Sequence, residues 1–122
     1  MQFMLILNET TDDFEQRLDP ARAEAYWGGW NGFIGAMGQA GIIVKGDGLQ
    51  GPQLATTLRI RDGKRTVEDG PYAETKEQLG GYFVIEVPTL DNALDWAAKA
   101  PCVLTGSVEV RPVLPPMPAP AR

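Results

Sequence analysis

The chain has 122 residues, one cysteine and no histidine, a length that fits a single domain. Hydrophobic residues make up 43% and charged residues 22%, the composition of a packed globule rather than a disordered chain. Lack of histidine removes Ser-His-Asp and Cys-His catalysis and imidazole metal sites, and the lone thiol removes an internal disulfide, so no metal and no cofactor are expected. A net charge of −5 argues against sequence-independent nucleic-acid binding. No apolar run approaches the about 18 residues a membrane span needs. Met1–Asn8 lacks the basic start of a signal peptide, so a cytoplasmic location is expected, with Cys102 reduced.

Gln2–Asn8 is a compact apolar run that reads as a buried strand. Pro20–Ala40 reads as a long helix, with Pro20 suited to a first helical position and Gly41 as its stop. Tyr26, Trp30, Phe33 and Met37 recur on one stripe of it. Gly28, Gly32 and Gly35 fall on the opposite side, so either a neighbour packs closely there or the helix is locally weak. Trp27 lies a quarter turn off the stripe, where it would edge a pocket. Ile42–Lys45 is a short extended run and Gly46–Gln53 a glycine-rich loop. Gly46-Asp47-Gly48-Leu49-Gln50-Gly51 matches G-x-G-x-x-G, but Pro52 follows at once instead of the helix a phosphate-binding turn requires.

Thr57–Arg61 and Lys64–Asp69 flank Asp62-Gly63, a strong hairpin signal that pairs Arg61 with Lys64, Arg59 with Thr66 and Leu58 with Val67. One face then carries Thr57, Arg59, Arg61, Lys64, Thr66 and Glu68, and the other Leu58, Ile60 and Val67 with the stem of Arg65. Thr75-Lys76-Glu77-Gln78 fits a capping box opening a short helix that ends at Gly80-Gly81. Tyr82–Val87 is a strand. Thr89 caps a second amphipathic helix with Leu90, Leu94 and Ala97 on one stripe, stopped by Pro101. Ser107–Arg111 alternates as a strand should. The expected organisation is one domain over 1–113 and a proline-rich tail over 114–122.

This order is the ferredoxin-like α+β plan, β-α-β-β-α-β with an extra short strand, its helices on one face of an antiparallel sheet. Tyr82 and Val84 alternate with Phe83 and Ile85, so both sheet faces are partly apolar. A second subunit is the economical cover for the face without helices.

The segment Asp69–Tyr82 is dense in turn formers and charged groups, and Asp69, Tyr72, Lys76 and Glu77 have no evident local task. The site expected from them has Asp69 turned inward beside Lys76 and the Tyr72 ring, with Arg59 closing it from the sheet. Uninterrupted alternation puts Asp69 and Arg59 on opposite faces, so a bulge near Glu68-Asp69 is required.

DGPYAETKEQLGGYFVIEV, followed by LDNALDWAAKAP, closely resembles the DGPF-motif branch of the YCII-related domain family, with Tyr72 where the motif has Phe. The upstream GDGLQGPQLATTLRIRDGK is similar to that branch as well. The resemblance implies a homodimeric α/β-barrel of ferredoxin-like subunits. It also implies, for some relatives, a gene beside a sigma factor. A His-Asp pair suggested as catalytic in some relatives does not carry over to a chain without histidine. Two functions stand. One is a ligand-binding or regulatory protein holding a small anionic ligand between sheet and dimer partner. The other is a small-molecule enzyme with Asp69 as acid/base, Arg59 and Lys76 holding an anion, and Tyr72 or Tyr82 supplying a hydroxyl. The missing histidine favours the first.

Overall fold

The computed structural model describes residues 1–71, 73 and 75–117. Strand β1 (Gln2–Thr10) is followed by helices α1 (Thr11–Leu18) and α2 (Ala23–Ala40), then by β2 (Ile43–Gly48). A hairpin of β3 (Thr56–Arg61) and β4 (Lys64–Asp69) comes next, then β5 (Glu77–Glu86), α3 (Leu90–Ala97) and β6 (Ser107–Pro112). Strands β2, β5, β1 and β6 form one antiparallel sheet in that order, whereas β3 and β4 pair only with each other. The fold is ferredoxin-like α+β, with one change from the expected plan. The short strand β2 belongs to the main sheet, and the hairpin is an insertion between β2 and β5.

Alternation along β1 sends Phe3, Leu5, Leu7 and Glu9 to the helix-covered face, where all four are buried. Tyr26, Trp30, Phe33 and Met37 of α2 meet them there, together with Ile85, Ala93 and Ala97. The aromatic stripe in the sequence is therefore the core stripe of α2, and burying such side chains is worth about 1.5–3 kcal/mol each. Helix α2 starts at Ala23, not Pro20, and ends at Gly41, whose φ of 69° is the left-handed stop and whose N–H donates to Gly38 O. A Cβ built on Gly28, Gly32 or Gly35 meets nothing within 4 Å, so no described neighbour packs against that side.

Three expectations are corrected. Thr11–Leu18, for which the sequence pattern predicts no element, is helix α1. It is held by a reciprocal box in which the Thr10 hydroxyl accepts from Asp13 N and the Asp13 carboxylate accepts from Thr10 N. The segment read as a short helix after Thr75 is instead the start of β5, and the Thr75 hydroxyl donates to Glu77 O. A capping box needs an apolar helical face behind it, and here Leu79 and Tyr82 follow strand pairing with β1 instead. In α3 the buried stripe is Ala93 and Ala97, whereas Leu90 and Leu94 stand half exposed.

Asp62 and Gly63 both have positive φ, 54° and 72°, as a two-residue hairpin turn demands. The expected register holds along the whole hairpin, from Arg61 opposite Lys64 to Thr56 opposite Asp69, without a shift.

Candidate functional site

The β1–β5 ladder slips by one residue between Leu7 and Asn8, leaving Gly80 without a partner in β1. This bulge lies where Glu9 ends the inward row of β1. A Cβ on Gly80 would stand 1.8 Å from Glu9 Oε2, so only glycine leaves the carboxylate its space.

Glu9 is 2% exposed, and a buried carboxylate requires partners. Arg17, in the last turn of α1, donates from Nη2 to Glu9 Oε2 at 2.6 Å. Tyr26, in the first turn of α2, donates its hydroxyl to Glu9 Oε1 and accepts from Arg17 Nε at 2.9 Å. Arg17 further donates to Leu49 O and to Gly80 O, the latter at 3.3 Å. Its guanidinium carbon lies 4.8 Å from the Phe14 ring centre, 5.7 Å from that of Tyr26 and 5.4 Å from that of Trp27. Rings at such distances hold a cation by their quadrupole. Burial pulls the Arg17 pKa down, but the Tyr26 hydroxyl and the Glu9 carboxylate more than offset it and leave it above its ordinary value. Burial, with the Glu9 hydrogen bond, raises the Tyr26 phenol far above its usual range.

A pocket of about 160 Å³ opens beside this triad. Trp27, Trp30, Asn31 and Ile34 of α2 form one wall, Leu7 and Phe83 the sheet side, and Gly48, Gly80 and Gly81 the backbone rim. A second hollow of about 450 Å³, lined by Phe14, Leu18, Leu49, Gln50, Gly51, Gln53 and Leu54, shares Arg17, Trp27 and Gly48 with it. The Arg17 and Trp27 side chains thus stand between the two, with Gly48 at their common edge.

Of the residues expected in a site, Trp27 lines the pocket. Tyr82 is on the opposite sheet face and donates to Asp47 Oδ2 at 2.8 Å, a bond that raises its pKa. Arg59 pairs with Glu68 across the hairpin at 3.3 Å. Asp69 ends β4 opposite Thr56, and because the register never shifts, it and Arg59 stay on opposite hairpin faces. The required bulge occurs in β5 instead. Lys76 is exposed just before β5, and neither it, Arg59 nor Asp69 lines the aromatic pocket. Tyr72 lies outside the described residues. In the glycine-rich loop, only a three-residue 3-10 turn, Pro52–Leu54, follows Gly51. Gly46 has a packing reason instead, since a Cβ there would meet the Phe83 ring at 2.3 Å.

No motif in the sequence marks Glu9 or Arg17, and Tyr26 reads there only as part of the core stripe. Asn8-Glu9-Thr10 looks like the end of a strand, although counting on in twos from Phe3, Leu5 and Leu7 reaches Glu9.

A four-stranded ferredoxin-like sheet with an aromatic pocket at a buried ion pair defines a small α+β domain. The YCII-related domain matches residues 1–116, and the chain belongs to that family. It is also similar to an uncharacterized protein of Rhizobium meliloti (strain 1021), 51% identical over 61 residues. That stretch spans 48% of this chain and 49% of the relative.

Proposed function

We propose that this YCII-related protein binds a small, uncharged molecule of about one ring in the pocket between α2 and β5. The carrying observation is the saturated Glu9–Arg17–Tyr26 triad at the base of an aromatic hollow of about 160 Å³. A dry cavity of about 150 Å³ is enough for benzene. The pocket's one lining cation, Arg17, is already neutralised by Glu9, so an added anion would face the Glu9 carboxylate at close range. This favours a neutral ligand over the anionic one expected from Arg59 and Lys76. Binding rather than turnover is supported by the same saturation, because the Tyr26 phenol is held protonated and both carboxylate oxygens are engaged.

We read the protein further as a cytoplasmic homodimer of the DGPF-motif branch. The half-buried Met4, Ile6 and Tyr82 share the sheet face away from the helices with the buried Val84, and this is the face on which we place a second copy.

Ligand-observed NMR with benzamide, benzoate and benzylamine tests the binding. Benzamide is expected to bind saturably, and Ile34→Trp, which fills the pocket mouth, to abolish it. Benzoate binding as tightly as benzamide restores the anionic reading, and absence of saturable benzamide binding overturns the proposal.

A further inference from the structure

The larger hollow has one ionisable side chain in its lining, Arg17, and Glu9 already meets that charge. Its other walls are uncharged, with Phe14 and Leu18 of α1, Trp27 of α2, and Leu49, Gln53 and Leu54 of the loop after β2. Leu18 and Leu54 are 78% and 65% exposed, and neighbouring apolar groups left open in this way mark a contact surface. The loop itself is fixed. Leu49 N donates to Gly80 O at 2.9 Å, Arg17 Nη1 donates to Leu49 O, and Leu54 N donates to Gly51 O at 3.0 Å. A ligand entering this hollow therefore has little of the loop to order.

The two hollows meet at Gly48. It pairs with Gly81, which in turn pairs with Leu7, so a side chain at position 48 would rise on the helix-covered face. A Cβ built there meets nothing within 4 Å. Open space thus stands over the Gly48 backbone, and it forms the crossing that Arg17 and Trp27 leave between the hollows. Small-molecule sites generally occupy about 300–1,000 Å³. The smaller hollow, at about 160 Å³, falls short of that by itself, and the larger one, at about 450 Å³, brings the pair within it.

We propose that the two hollows are one bipartite site, whose ligand is a neutral ring carrying an unbranched alkyl chain. The ring lies between α2 and β5. The chain crosses above Gly48 and rests on Phe14, Leu18, Leu49 and Leu54. This rests on the ring-binding reading above and names the rest of the molecule.

Titration of the full chain with benzamide and with N-butylbenzamide tests it. A fully buried methylene is worth about fourfold in affinity. The chain here lies in an open groove, so N-butylbenzamide is expected to bind at least about tenfold tighter than benzamide. Leu18→Gln with Leu54→Gln, both at exposed positions of the larger hollow, is expected to reduce that ratio to about threefold or less. Equal affinities in the wild type, or a ratio that the variant keeps, overturn the bipartite site and leave the ring reading standing. Absence of saturable benzamide binding overturns both. Should the variant lose cooperative unfolding, intermolecular NOEs in the wild type decide instead. The butyl methyl must then contact Leu18 or Leu54 while the ring protons contact Trp30 or Ile34, and a butyl group that contacts neither leucine overturns the bipartite site.

Discussion

Gly80 Cα and the Glu9 carboxylate occupy adjoining space, with room between them for hydrogen but not for a methyl group. Gly80→Ala therefore displaces either the carboxylate or the β5 bulge. Overpacking of this kind costs about 1–3 kcal/mol. The expected outcome is a lower urea midpoint with unchanged slope, together with weaker benzamide binding. An unaltered midpoint would mean that the bulge yields freely.

Removing one member of the ion pair is costlier than removing both. Arg17→Met leaves Glu9 buried without its cation and is expected to cost about 3–5 kcal/mol. The double variant Glu9→Gln with Arg17→Met is expected to recover a large part of that loss. A double-mutant cycle by chemical denaturation measures the coupling, and additive losses would refute it.

Alkaline pH supplies a third test. Burial, seconded by the Glu9 charge, pushes the Cys102 thiol from 9.0 up to about 12. A group that holds its proton more tightly when folded contributes fully below the unfolded value and loses that contribution as pH rises through the folded one. Stability should thus fall between pH 9 and pH 12, by up to about 1.4 kcal/mol per pH unit for one proton. Cys102→Ala, less stable throughout, should show a shallower decline. Parallel curves for the two proteins would assign the decline to other groups.

Thr10 and Thr75 differ in what their hydroxyls hold. Thr10 accepts from Asp13 N at the start of α1, so Thr10→Ala should cost about 0.5–2 kcal/mol. Thr75 precedes a strand and is exposed, and Thr75→Ala should shift the midpoint much less. Equal losses would contradict this assignment of the two termini.

Local chemistry made some elements legible. Asp62-Gly63 sets the hairpin register by itself, and the 4, 3, 4 steps from Tyr26 to Met37 mark the core face of α2. Helix α1 was hidden because Asn8, Thr10 and Asp12 are turn formers, although Thr10 and Asp13 already spell its box. The helix expected after Thr75 failed because a capping pattern reads only backbone termini, whereas strand pairing with β1 decided the segment. The pocket was the least visible feature. Glu9, Arg17 and Tyr26 are spaced 8 and 9 residues apart, a pattern with no helical or strand period, and they meet only when α1 and α2 fold back over β1.

The strand order has a consequence for the timing of folding. Strand β1 is central, with β5 on one side and β6 on the other, and these partners lie some 70 to 110 residues downstream. During synthesis its backbone donors and acceptors wait, solvated or chaperoned, until nearly the whole domain has left the ribosome. Such distant pairing predicts slow acquisition of the native state. In that interval the run from Phe3 to Leu7 is the segment most open to pairing with the wrong chain.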